Sequence, residues 1–357
     1  MEIYLDNAST TRMDDEVVKA MIPFFTKIYG NPGSLHDKGL EASEAVEKAR
    51  ETIAKSINAD SDEIIFVSGA TEANNLALHN RKVFTTRIEH PSVLNAAKNY
   101  VFLKVDKEGF VDLNELKKKI EKDCMVSIAH ANHEIGTLQN INEIWKICKE
   151  KNVLFHTDAS QSFTKEKIDV DKFNIDLITL NPHKIYGPKG IGALYVRKGV
   201  KLNKLIYGGK QESNLRSGTE NVPGIVGFGK AVEIAMKDFD KNREHALRLR
   251  NKLIKGLNVK LNGPREKRSV NNVNVSFDFD SETILNHLNV FNIYASSGSA
   301  CTSKEVEPSN VLKEIGLSDE EAINSVRFSL SKLNTEKEID YVVEKVGEIL
   351  ESLRKIG

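Results

Sequence analysis

EIIFVSGATEANNLALHN (63–80) decides the architecture. The run EIIFVS (63–68) is short, apolar and partly β-branched, and reads as a buried strand. The small pair Gly69-Ala70 follows, and TEANNLALHN (71–80) reads as the helix after it. The same alternation extends outward. KVFTT (82–86) reads as a strand followed by a helix through SVLNAAKN (92–99). MVSIAH (125–130), VLFHTD (153–158), DLITLN (176–181) and GALYVR (192–197) read as further buried strands, with INEIWKICKEK (141–151) the helix between two of them. Strand and helix in alternation predict an α/β fold with a mostly parallel sheet sandwiched by helices.

After Gly218 the character changes. A helical stretch, GIVGFGKAVEIAMKDFDKNREHALRLRNKLIKGL (224–257), leads into grouped elements: VNVSF (273–277), a helix over SETILNHLNV (281–290), NIYAS (292–296) and SVRFSL (325–330). TEKEIDYVVEKVGEILESLRKI (335–356) is a closing amphipathic helix. Strands grouped with packed helices predict a smaller α+β domain. The division falls at a large domain over 15–225 and a small domain over 226–357 that also takes residues 1–14. The long helix itself is the expected junction.

The chain has 357 residues with 51 basic and 51 acidic side chains. A balanced charge argues for neither a nucleic-acid surface nor an anionic membrane. No apolar run approaches the ~20 residues that span a bilayer, and the N-terminus lacks a basic and apolar leader pattern. Three cysteines, Cys124, Cys148 and Cys301, form no disulfide framework and no CxxC pair, so a reduced, cytoplasmic protein is expected. The nine histidines show no HExxH or paired spacing for a metal, there is no P-loop, and GPKGIG (187–192) is only a loose Gly-rich turn.

In open α/β sheets, ligands sit beyond the carboxyl ends of the strands, so the residues there carry the functional signal. Ser68-Gly69-Ala70-Thr71 is either a plain helix cap or an anion site, where free N–H groups and the helix dipole meet a phosphate. Asp158, at the end of a central strand, is either a helix cap or the partner of a protonated pyridine nitrogen, with Gln161 on the same side of the turn. Lys184, after His183, is either a surface charge or a desolvated amine of the kind that forms Schiff bases. His90 can stack on a flat ring or move protons. Cys301 lies in SSGSACTS (296–303), a small, polar run suited to movement, unlike the apolar surroundings of a structural thiol. Arg327, in a strand, suits a substrate carboxylate.

These residues stand in motifs that resemble, almost end to end, cysteine desulfurases of the NifS/IscS type, a group of class V aminotransferase-like, fold-type I pyridoxal-phosphate enzymes. The motifs are YLDNASTT (4–11), GNPGSLH (30–36), SGATEANN (68–75), ANHEIG (131–136), HTDASQS (156–162), HKIYGPKGIGALYVR (183–197), RSGTENVPGIVGFGKA (216–231), SSGSACTS (296–303) and RFSLSKLNTEKEIDYVV (327–343). HKIYGPKG together with SSGSACTS is the most specific combination. The resemblance implies that Lys184 carries pyridoxal 5'-phosphate, that His90 stacks on its ring, and that Asp158 and Gln161 meet the ring nitrogen and phenolic oxygen. It implies phosphate contacts from Ala70, Thr71, Asn181 and His183, and a cofactor- and substrate-side place for Asn132. Thr219 matches a residue that reaches the neighbouring subunit's phosphate, which implies a homodimer. Arg327 matches the residue that binds the substrate carboxylate, and Cys301 the cysteine that takes sulfur from L-cysteine as a persulfide. The sulfur would pass to an acceptor or iron–sulfur scaffold protein, for cluster assembly or tRNA thiolation.

The chain also departs from that pattern. Asn181 stands where a serine is usual, Pro182 where a small residue is usual, and His133 where a second asparagine is usual; Lys210, Ser213 and Asn214 alter the segment before RSGT. A selenocysteine lyase, an aminotransferase of the same fold and a non-catalytic sulfur-carrier scaffold share parts of the pattern. The aminotransferase has no use for a thiol in SSGSACTS, and the scaffold has none for Lys184 and Asp158.

Overall fold

The computed structural model describes residues 2–297, 301–302 and 305–356, without the side chains of 301, 302, 305, 306 and 356. Seven strands form the main sheet. In spatial order they are Ile64–Val67, Gly192–Val196, Leu177–Leu180, Leu154–Asp158, Met125–Ser127, Lys82–Thr86 and Asn99–Leu103. Gly192–Val196 runs antiparallel to both neighbours, and every other pairing is parallel. Ile64–Val67, Leu177–Leu180 and Gly192–Val196 are buried at every position, as strands covered on both faces must be.

On one face, the helices Asp37–Ser56 and Val222–Lys237 share an apolar core with the sheet through Val46, Ile53 and Phe228. They approach closely because Gly229 faces Ala49; a Cβ on Gly229 would lie 2.8 Å from that residue. The helix Ala70–Leu78 covers the opposite face with Leu76 and Ala77 against Val83 and Leu194.

A second core joins the helices Phe239–Leu257 and Glu336–Ile356 through Leu249, Leu253 and Val346 to Val273 and Phe328 of an antiparallel sheet. That sheet runs Ser296–Ser297, Ser325–Ser329, Asn272–Ser276, Lys260–Leu261. The N-terminal segment contributes Ile3 and Leu5 to the same core. Its strand Ile3–Tyr4 pairs with Ile293–Tyr294, and Ser329 N–H donates to Leu5 O at 2.6 Å.

Two expectations are corrected. The helix expected through 92–99 spans only Pro91–Leu94, and Asn99–Leu103 is an edge strand. The Tyr100 hydroxyl ends the helix by donating to Val93 O at 2.5 Å and accepting from Ala97 N–H at 2.6 Å. The single helix expected over 224–257 is two, divided at Asp238 (φ −109°, ψ 22°), beyond which Phe239 is buried. Removing the Tyr100 hydroxyl should cost about 1–2 kcal/mol, because the carbonyl of buried Val93 and the partly buried Ala97 N–H lose their partner. Tyr100→Phe should therefore lower the urea midpoint; an unchanged midpoint would mean that water replaces both bonds.

Candidate active site

The carboxyl ends of the parallel strands open into a cleft of about 540 Å³. Ala70, Thr71, His90 and Asp158 line it, and so do Gln161, Asn181, His183 and Lys184. The helix Ala70–Leu78 begins at Gly69 with no side chain capping it, so its first N–H groups face the cleft's rim. Nothing lies within 4 Å of a Cβ placed on Gly69, whereas one on Gly192 would sit 2.7 Å from the Gly69 backbone. Gly192 thus lets the loop at Gly69 pack flush against the antiparallel strand.

Asp158 ends its strand almost fully buried. Burial alone would raise its pKa. Hydrogen bonds from Ser160 and Asn74 outweigh that, His90 adds to them, and the carboxyl stays below its ordinary range. Asn74 Nδ2 and Ser160 N–H each donate to it at 2.8 Å.

Lys184 lies in the turn after Leu177–Leu180. Burial lowers its amine to about 8, Arg327 lowers it further, and Asp158 and Asp6 oppose. The turn is clamped by the N-terminal segment. Thr11 N–H and hydroxyl both donate to His183 O, at 2.8 and 3.0 Å, and the hydroxyl accepts from Tyr186 N–H at 2.8 Å. Asp14 N–H donates to Tyr186 O at 2.9 Å. Tyr186, with φ 67°, is thereby held in the left-handed region from both sides of its peptide.

His90 packs edge-on to His133 with ring centroids 5.4 Å apart. Burial, then His133, lowers its pKa to about 4, so the ring is neutral. His183 is likewise lowered to about 4 by burial and the lysines around it. Gln161 Nε2 donates to Ala8 O at 2.9 Å, and its own carbonyl accepts from Lys165 Nζ at 3.0 Å. Lys165, which sequence reasoning passed over, is lowered to about 7 by burial and by Lys184, against Glu166. Both amide atoms of Asn181 are buried without a protein partner.

Among the other predicted residues, Asn132, Arg327 and Thr219 do not line the cleft. Asn132 donates to Ile88 O at 2.8 Å and accepts from Glu134 N–H and Ile135 N–H at 2.9 Å, so it shapes the turn between the lining residues Ala131 and His133. Arg327 pairs with Asp6 at 2.9 Å and also donates to Ser9 Oγ and His133 O. Its carboxylate partner is therefore within the chain, in YLDNASTT, and its buried Nε is unpartnered. Thr219 is exposed. Cys301 belongs to a two-residue strand paired with Glu305–Val306, and its side chain lies outside the described residues. Among the described residues, no helix is long and apolar enough to cross a membrane, and no group of three or more His, Cys, Asp or Glu could hold a metal ion.

Comparison with known proteins follows the same outline. The profile of the family described as Aminotransferase class-V matches residues 3–342. The chain is 45% identical to cysteine desulfurase IscS of Dictyoglomus turgidum, over 100% of this chain and 96% of that protein. It is 46% identical to the mitochondrial cysteine desulfurase of Saccharomyces cerevisiae, over 99% of this chain and 76% of that protein. A solved NifS-like protein superposes with a TM-score of 0.92 at 39% identity, covering 98% of this chain and 100% of the other. A structure of SspA in complex with cysteine superposes with a TM-score of 0.80 at 34% identity, covering 93% and 100%.

Beside the cleft, Glu89 is buried and pushed up to about 8, chiefly by burial, with Asp158 adding and bonds from Ala129 N–H and the Thr86 hydroxyl opposing. An unfolded glutamate titrates near ~4.3, so between there and about 8 the folded state holds a proton that the unfolded chain has released. Stability must then fall as pH rises through that window, by at most ~1.4 kcal/mol per pH unit. Glu89→Gln carries no charge and should flatten the slope, gaining on wild type between pH 6 and 8 in urea unfolding; parallel curves would place the Glu89 pKa outside the window.

Proposed function

The chain belongs to the class-V aminotransferase family, and on that premise we propose that it is a pyridoxal-phosphate-dependent cysteine desulfurase, taking sulfur from L-cysteine onto Cys301 and leaving L-alanine. The observation that carries the reading is a single cleft. It joins an amine held near 8, a buried ionised carboxylate and a bare helix N-terminus.

These residues fit a flat, phosphorylated pyridine. The N-terminus of Ala70–Leu78 and Thr71 suit the phosphate, and the unpartnered Asn181 amide can still donate to it, so the departure from serine there preserves a donor. Asp158 suits a protonated ring nitrogen, neutral His90 suits a stacked ring, and Gln161 keeps a second amide hydrogen for a ring oxygen. Thr219, exposed on one subunit, suits the phosphate of a second copy in a homodimer.

Pyridoxal phosphate, when bound, supplies an electron sink for negative charge beside the substrate's α-carbon. At pH 7 to 8 a substantial fraction of Lys184 is uncharged, so it can attack a carbonyl carbon and afterwards take and return a proton. Arg327 can take the substrate carboxylate by exchanging its pair with Asp6 for it, since its guanidinium is bonded to Asp6 and to the cleft-lining Ser9 and His133. The Cys301 thiolate attacks the substrate sulfur. The carbon–sulfur bond breaks with its electrons on the carbon side and a proton completes alanine; an acceptor protein's thiolate then takes the outer sulfur of the persulfide, and Cys301 leaves as thiolate.

The purified chain with pyridoxal phosphate should show a visible absorbance band, and borohydride reduction should fix the cofactor mass on the peptide containing Lys184. A covalent label that persists in Lys184→Ala would overturn that assignment. Cys301→Ser should keep the absorbance and lose sulfide release from L-cysteine by at least tenfold, and full activity would remove the persulfide route.

A further inference from the structure

Behind the cleft lies a chain of buried side chains that the proposed chemistry leaves unassigned, and the proton positions along it are determined. Asp158 is ionised and can only accept, so the Asn74 atom 2.8 Å from its Oδ2 must be the amide nitrogen. Asn74 Oδ1 therefore faces Thr179, whose hydroxyl donates to it at 2.7 Å. Having one proton, that hydroxyl must accept at its other contact, from His156 Nε2 at 3.1 Å. His156 is neutral, lowered to about 4 by burial, so its Nδ1 is bare and accepts from Ser127 Oγ at 2.8 Å.

The second Asn74 amide hydrogen points to Ser92 Oγ at 2.8 Å. Ser92 then donates its own proton to His90 Nδ1 at 2.8 Å, and Ser92 N–H donates to the same nitrogen at 3.1 Å. Two donors on Nδ1 leave it bare, so the proton of His90 sits on Nε2. Protonating Nδ1 would set an N–H against the Ser92 N–H.

We propose that Asn74 is a positioning residue whose one amide orients both Asp158 and His90, fixing the carboxylate against the cofactor ring nitrogen and His90 as the Nε2–H tautomer. Asn74, Thr179 and His156 are almost wholly buried, so water does not stand in for any of them. Only an amide has two hydrogens and an acceptor on one flat group, which is what a carboxylate, a serine and a donating threonine together require.

The proposal rests on the cofactor reading above, and the test separates the two. In the full-length protein, ¹⁵N NMR of the histidine rings, assigned with His90→Gln, should find His90 with Nδ1 bare and Nε2 protonated at pH 7. Asn74→Leu, of similar volume, frees the Ser92 hydroxyl, so the His90 Nδ1 shift should move toward that of a more weakly hydrogen-bonded nitrogen and pyridoxal phosphate should bind at least tenfold more weakly by equilibrium dialysis. Thr179→Val, which leaves Asn74 in place without its donor, should weaken binding severalfold. A purely structural role would lower the melting temperature and leave the His90 Nδ1 shift and the affinity unmoved, and that outcome would overturn the proposal. So would a wild-type His90 protonated on Nδ1. If Asn74→Leu fails to fold, Thr179→Val carries the test. Wild type that binds no pyridoxal phosphate would sink the functional reading, while the His90 tautomer would still decide the network.

Discussion

A carboxylate that stays charged at the buried end of a strand constrains everything around it. Asp158 has that place, and its neighbours divide into those that supply donors and those that yield. Asn74 and Ser160 supply donors. Glu89 yields, since burial and a second negative charge nearby keep it protonated to about 8. Lys184 is moved the other way: Asp158 opposes the drop that burial imposes on its amine. Burial thus keeps a second acid neutral, with Asp158 adding to it, and brings an amine close to neutrality against the pull of Asp158, a division of protonation states that a catalytic site near pH 7 requires.

The site is also a junction between distant parts of the chain. The turn carrying Lys184 is held by Thr11 and Asp14, Gln161 is tied to Ala8, and Arg327 is tied to Asp6 and Ser9. The N-terminal segment lies between the two cores and fastens the ligand-facing turns of one to the strands of the other.

The sheet was legible because Ile64–Val67, Leu177–Leu180 and Gly192–Val196 are short, mostly apolar runs bounded by polar or small residues. The edge strand Asn99–Leu103 was not, because its mixed exposure resembles a helix surface and one tyrosine hydroxyl ends the preceding helix. At the site, Asp158, Lys184 and His90 could be found since strand ends collect chemistry. Asn74 could not be singled out, because an asparagine within a helical stretch gives no sign of which face it presents. Asp6 was passed over for a related reason: an acid six residues into a chain carries no local mark of an arginine 321 residues later.

That separation has a consequence for synthesis. Leu5 O accepts from Ser329 N–H, and Ala8 N–H donates to Ser329 Oγ at 2.8 Å. The partner strand leaves the ribosome some tens of seconds after the N-terminus, at ~5–20 residues per second. Throughout that interval apolar Ile3 and Leu5 are without the strand that covers them. The parallel sheet can assemble early from local βα units, and Thr11 can reach the lysine turn once His183 and Tyr186 have emerged, but the link from Leu5 and Ala8 to Ser329 waits until that strand is made. The tie between the two cores is therefore among the last contacts the nascent chain makes, and until it forms the apolar Ile3 and Leu5 are open to wrong partners.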